Sequence, residues 1–186
     1  MAPLGAMKWI WLAWSISWTI AALWSKSTEA RPKVNAEILY RVVTGVGLVL
    51  LFNLGYMLPS RQLWHTPLAV GWGLVGLTTL GFLFCWWARI HLGALWSSSV
   101  TRKTDHRIVD TGPYARVRHP IYTGIITASA AMAAEEGDPR ALLGMALIVL
   151  GFWIKARLEE RFLRSELGVE AYDAYSRRTA MLFPGL

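Results

Sequence analysis

Apolar residues in this chain fall in long runs separated by short charged or proline- and glycine-bearing segments, without the strict alternation of a half-buried strand. Five runs stand out: Met7 to Trp24, Ile38 to Leu58, Leu68 to Ala88, Ile121 to Ala134 and Ala141 to Ile154. The first three are long enough to cross ~30 Å of hydrocarbon at about 1.5 Å per helical residue. The last two are shorter and read as the arms of a helical hairpin turning at Glu135-Glu-Gly-Asp-Pro139. Beyond the hairpin, two short amphipathic helices are expected, with Phe162, Leu163 and Leu167 on one, Tyr172 and Tyr175 on the other, and Gly168 as the C-cap between them. The pattern predicts an all-α, polytopic membrane protein with about five transmembrane helices. No polar segment is long enough to fold as a second domain, so 1–186 reads as one membrane-embedded domain, with three membrane helices in 1–90.

Composition agrees, with 54% hydrophobic residues and a mean hydropathy of +0.36. The net charge of +7 would suit nucleic acid, but five crossings place all but Lys8, Arg61 and Arg140 of the 19 Lys and Arg on one side. That bias puts the amino terminus outside, and 90–119 and the carboxyl terminus in the cytoplasm, and it assigns the basic residues to topology and lipid headgroups. Several of the 11 Trp lie near run ends, where aromatic belts form. The first run resembles a signal peptide, but its core is long and no small-x-small cleavage site follows directly, so a retained helix is expected. Gly45, Gly47 and Gly55 in the second run, and Gly71, Gly73, Gly76 and Gly81 in the third, are read as helix-packing positions.

Several chemistries drop out. Cys85 is the sole cysteine, and His65, His91, His106 and His119 have no metal-ligand spacing, so no metal site is expected. No phosphate-binding loop, dinucleotide fingerprint or Gly-x-Ser-x-Gly elbow is present.

The informative stretch is Asp110 to Tyr122, polar, basic and turn-rich, running into the fourth apolar run. Pro120 suits the first helical position and His119 the cap before it, so His119 is expected at an open helix amino end, a seat for a carboxylate or phosphate, flanked by Arg116 and Arg118. Ile108 and Val109, apolar among charges, either line a slot for a flat heterocycle or dip into the headgroup layer. Antiparallel hairpin arms would bring His119 and Tyr122 beside Lys155 and Glu159 at the cytoplasmic face. There a zwitterionic amino-acid head could be held, its ammonium by Glu159 and its carboxylate by His119 and the helix end. Glu160 and Arg164 are expected to form an exposed surface pair.

Gly112-Pro-Tyr-Ala-Arg-Val-Arg-His-Pro-Ile-Tyr-Thr-Gly124, followed by Glu159-Glu160-x-x-Leu163 and Gly168-x-x-x-Tyr172-x-x-Tyr175, resembles the isoprenylcysteine carboxyl methyltransferase family, integral-membrane enzymes related to phospholipid methyltransferases. The resemblance covers about Gly93 to Pro184. It implies a cofactor-binding methyltransferase core in 91–186, S-adenosylmethionine as cofactor with S-adenosylhomocysteine as product, and a lipophilic acceptor such as an isoprenylcysteine, arriving from the bilayer. By position, His106, Arg107, Ile108, Val109 and Tyr114 would contact the cofactor, His119, Pro120, Ile121 and Tyr122 would hold its amino-acid end, and Glu159 would bind its ammonium. Arg118 would organise the reacting carboxylate as the catalytic residue. The family's substrate-facing basic position is Lys155 here, with Arg157 as fallback; Lys does not replace Arg in a bidentate contact.

Methyl transfer to a carboxylate neutralises charge and is favoured by a dehydrated pocket. It needs no general base, whereas an amine must first lose a proton. The sequence offers no dedicated base, which favours carboxyl O-methylation over phospholipid N-methylation, with a non-catalytic membrane binding subunit as the third reading.

Overall fold

A computed structural model describes residues 2–24, 28–30, 34–54, 59, 61–93, 96, 102–103 and 108–185. Six α-helices account for most of them: α1 Pro3–Ala21, α2 Val34–Phe52, α3 Leu68–Leu92, α4 Pro120–Glu136, α5 Pro139–Leu167 and α6 Val169–Arg178. The all-α expectation holds apart from a minimal antiparallel ladder, in which Thr28–Ala30 (β1) pairs with Arg102–Lys103 (β2). Gly55 and 97–101, 104–107 lie outside the described residues.

The bundle is built around α4. None of its residues is exposed, and α1, α2, α3 and α5 all touch it. The tightest approaches are glycine on glycine. A Cβ on Gly124 would lie 2.4 Å from the Gly81 carbonyl oxygen, and one on Gly47 would lie 2.8 Å from that of Gly144. These contacts set the α3–α4 and α2–α5 crossings, where small residues let backbones meet. Gly71 also packs closely, whereas Gly45, Gly73 and Gly76 face open space, so the packing role read into those three is not where the helices touch.

Outer surfaces are apolar. Ile16 and Ile20 on α1, Val42 and Val46 on α2, and Leu80 and Leu83 on α3 are all exposed, as expected where hydrocarbon rather than water is the solvent. Among the described residues two helices are long and apolar enough to cross a membrane, Leu68–Leu92 and Pro139–Glu166. This measure thus supports two of the expected five crossings. The 17-residue α4 spans only about 25 Å, and α2 carries Glu37 and Arg41 in its first two turns.

The hairpin turn is built by its own residues. Gly137, with φ +59°, ends α4 in the left-handed conformation, and Asp138 caps α5 by accepting from the Arg140 N–H at 2.8 Å. The same carboxylate accepts from the Arg61 N–H at 2.8 Å, tying the loop before α3 to the turn.

One sequence reading needs correction. The segment from Lys155 is no separate amphipathic helix, because α5 runs unbroken for 29 residues from Pro139 to Leu167. Polarity changes near Lys155, but neither Pro nor Gly interrupts the chain between Gly151 and Gly168. Gly168, at φ +99°, makes the only break before α6.

Candidate functional site

The amino end of α4 meets α5 at Glu159 and Glu160. His119 is the N-cap residue, with φ −124° and ψ 62°, and Pro120 opens the helix. Pro120 has no N–H to waste there, and the residue before a proline is held out of the helical region. The first turn of α4 therefore presents the positive end of a helix toward α5.

Two adjacent carboxylates face this cap from different sides of α5. Glu159 Oε2 accepts from the Tyr122 hydroxyl at 2.5 Å and lies 3.8 Å from His119 Nδ1. Glu160 Oε1 lies 3.1 Å from His119 Nε2 and accepts from Arg118 Nε at 2.7 Å. The imidazole is thus flanked by both carboxylates and stacks on the Tyr122 ring, with 5.1 Å between centroids and 4° between planes. Tyr122 in turn stacks on Phe152 at 4.9 Å.

Glu160 departs from its expected place. It is buried rather than paired with Arg164 at the surface; Arg164 reaches Asp173 of α6 instead, at 2.6 Å. Successive helix residues point about 100° apart. Glu159 therefore looks toward Tyr122 with 29% of its side chain exposed, while Glu160 turns to Arg118 and the carboxyl-terminal segment.

Arg118 is engaged through Nε and Nη1. Beyond Glu160 it donates through Nη1 to the Ser176 carbonyl at 3.0 Å and to that of Thr179. Its backbone N–H donates to Ala180 O at 2.8 Å, and that of His119 to Met181 O at 3.1 Å. Val117 bridges Ala180 in parallel, and the Thr123 hydroxyl donates to Leu182 O. The chain after α6 is thereby laced along 117–123. The guanidinium expected beside the reacting carboxylate thus also clamps this lacing.

Lys155 lies over two rings, 5.5 Å from the Tyr40 centroid and 5.1 Å from that of Tyr122, one turn before Glu159. Arg157 is exposed and lies 5.5 Å over Trp153, on another face of α5. Tyr114 is buried in the 3₁₀ turn Gly112–Ala115, where its carbonyl accepts from the Tyr175 hydroxyl at 2.8 Å. Burial raises the Tyr114 and Tyr175 hydroxyl pKa values above the ordinary tyrosine range, so both stay protonated. Val109 packs against the hydrophobic core, and Ile108 is half-buried. Pro120 and Ile121 are buried in the first turn of α4. His106 and Arg107 lie outside the described residues. Among the described residues no three His, Cys, Asp or Glu converge as metal ligands.

Sequence reasoning missed two members of this end of the bundle. Arg89 is buried, donates to Ala21 O at 2.8 Å and Gly93 O at 2.6 Å, and lies 4.3 Å over Trp96, joining α1 to the end of α3. His91 shares a 2.8 Å hydrogen bond with the Thr111 hydroxyl and packs under Gly112. The available signal was polarity, since both close an otherwise apolar run.

The donor set suits a cofactor with an amino-acid end. Glu159 has a second carboxylate oxygen that could take an ammonium, and the first turn of α4 has N–H groups without intrahelical partners that could take a carboxylate. One turn further along α4 from Tyr122 and two turns back along α5 from Glu159, a mainly apolar cleft of about 930 Å³ begins at Ile125 and Phe152, lined by Leu48 and Thr44 of α2 and Trp11 and Leu12 of α1, with Lys8, Glu136 and Arg140 also on its wall.

Comparison with known proteins gives a concordant result. Residues 74–165 match the family model described as the isoprenylcysteine carboxyl methyltransferase (ICMT) family. The chain is 32% identical over 134 residues to the cobalt-zinc-cadmium resistance protein CzcN of Cupriavidus metallidurans, covering 66% of this chain and 52% of the relative. It is 28% identical over 158 residues to the nickel-cobalt-cadmium resistance protein NccN of Alcaligenes xylosoxydans xylosoxydans, covering 80% of this chain and 64% of the relative. The aligned part of the chain thus spans between half and two thirds of the length of these curated relatives.

Proposed function

Because the chain belongs to the isoprenylcysteine carboxyl methyltransferase family, we propose that it transfers a methyl group from S-adenosylmethionine to the carboxylate of a lipophilic acceptor, such as an isoprenylcysteine, that enters sideways from the bilayer. The observation that carries this reading is the meeting of α4 and α5: Tyr122 and Glu159 2.5 Å apart, with the Tyr122 ring stacked on Phe152, which lines a mainly apolar cleft. S-adenosylmethionine, when bound, supplies an electrophilic methyl group on a sulfonium cation. Glu159 and the first turn of α4 hold its amino-acid end, and Ile108, Val109 and Tyr114 border its remainder, with His106 and Arg107 as further contacts by resemblance.

The protein's own contribution is position and dehydration. His119, pinned between two carboxylates and stacked on Tyr122, fixes the tyrosine ring that carries the Glu159 contact. Lys155, over the Tyr122 ring, places a positive charge where an acceptor carboxylate would approach. Arg118 supports this arrangement by orienting Glu160 and His119, and Arg157 stands apart on α5. The chemistry needs no base, because a carboxylate attacks in its ionised form.

Five crossings, with the His119 end in the cytoplasm, complete the proposal; the bias of basic residues supports this orientation. The two curated relatives are named for metal resistance, and a contribution of this chain to such a trait would run through the membrane component it methylates. The test is transfer itself: purified protein with radiolabelled S-adenosylmethionine and extracted membrane lipid should place label in the organic phase. Absence of labelled lipid, with the cofactor still bound, would favour a non-catalytic binding subunit.

A further inference from the structure

A second cleft, of about 780 Å³, opens between α2, α5 and α6 on a different side of α5 from Glu159. Its apolar half includes Leu39, Trp153 and Ile154, of which Leu39 and Trp153 are exposed and continuous with the outward apolar surface. Its polar half carries four arginines and two carboxylates, with Tyr172 and Ser176, and two of the arginines are matched: Arg118 by Glu160 at 2.7 Å and Arg164 by Asp173 at 2.6 Å. Arg157 and Arg161, one turn apart and both exposed, are paired with no carboxylate among the described residues. Arg157 lies over the Trp153 indole, which fixes its stem at the junction of the two halves.

An excess of positive charge beside an indole that faces the hydrocarbon defines a particular ligand. We propose that this cleft binds the headgroup of an anionic phospholipid, with Arg157 and Arg161 on the phosphate and the acyl chains along Trp153, Ile154 and Leu39. Guanidinium groups grip phosphate through paired N–H donors, and tryptophan prefers the headgroup boundary. A soluble anion would leave the apolar half without a partner; a lipid fills both halves. The wall between this cleft and the cofactor end is the Arg118–Glu160–His119 chain, so the lipid would brace the clamp that holds the carboxyl-terminal segment. The site stands whether or not the chain transfers methyl groups.

Native mass spectrometry of the full chain released from mixed micelles of phosphatidylglycerol and phosphatidylcholine tests it. Wild type should retain phosphatidylglycerol in preference to phosphatidylcholine, and the Arg157→Gln/Arg161→Gln double variant should lose that preference about tenfold or more. Arg116→Gln/Arg177→Gln removes the same charge from exposed positions at the same end of the bundle, outside the cleft, and should keep the preference. Equal retention of both lipids by wild type, or an equal loss in the two double variants, would overturn the proposal. So would full displacement of the lipid by millimolar inorganic phosphate, which would mark the site as one for a free anion.

Discussion

Replacing Glu159 and Glu160 separately by Gln asks the structure to distinguish two neighbours that local sequence cannot. Glu159→Gln keeps an oxygen for the Tyr122 hydroxyl, and the side chain is 29% exposed, so folding should lose less than about 1 kcal/mol. It removes the negative charge proposed to face the cofactor ammonium. A charge-assisted hydrogen bond there contributes roughly 1.5 to 3 kcal/mol, so affinity for S-adenosylhomocysteine should fall by about one to two orders of magnitude. Glu160→Gln has the opposite profile. Its carboxylate is the partner of a guanidinium only 11% exposed, which keeps two carbonyl acceptors after the change. The loss should be about 2 kcal/mol of stability, below the full cost of orphaning a buried charge, and should lower Tm by roughly 4 to 8 °C. Calorimetric titration of S-adenosylhomocysteine into each detergent-solubilised variant, beside thermal unfolding, reads both quantities. Unchanged affinity in Glu159→Gln would refute the ammonium assignment. Greater loss of affinity in Glu160→Gln with an unchanged Tm would reverse the two roles.

Other expectations follow from the packing. Gly124→Ala drives a methyl into the Gly81 carbonyl and the Cys85 sulfur, so it should cost about 1 to 3 kcal/mol, whereas Gly76→Ala, facing open space, should be neutral or stabilising in thermal unfolding. Arg118→Lys keeps the charge but not the fork, so hydrogen exchange should rise selectively across Ser176 to Leu182; unchanged protection there would remove the clamp. Leu48→Trp, filling the apolar cleft, should raise KM for a lipophilic acceptor while leaving S-adenosylhomocysteine affinity alone; an unaltered KM would place acceptor entry elsewhere. In a Cys85→Ala background, cysteines at the exposed positions Gln62 and Glu170 should react with an impermeant thiol reagent from opposite sides of the membrane, and same-side labelling would contradict the shared-face topology.

The amino end of α4 was legible because its determinants are local: Pro120 fixes the first turn and His119 the cap. The turn before α5 was legible for the same reason, since Gly137, Asp138 and Pro139 each act on their own backbone. What escaped were consequences of distant chain. Glu160 looked solvated because Arg164 stands one turn away, yet α6 returns to offer Asp173 to Arg164, and 179–182 lace beside Arg118. Glycine positions were read from two runs, but Gly124 and Gly144, half of each close pair, lie in the helices where packing was not sought. Continuity of α5 was hidden by a change of polarity at Lys155, which marks a change of solvent and leaves the backbone helical.

The most direct test of carboxyl methylation is the fate of label already transferred to lipid. Treated with mild base, a methyl ester releases radioactive methanol into the vapour phase, and the account expects nearly all of the organic-phase label to be recovered there. Label that stays with the lipid through base treatment would identify a methylated amine, and would contradict carboxyl transfer in favour of phospholipid N-methylation.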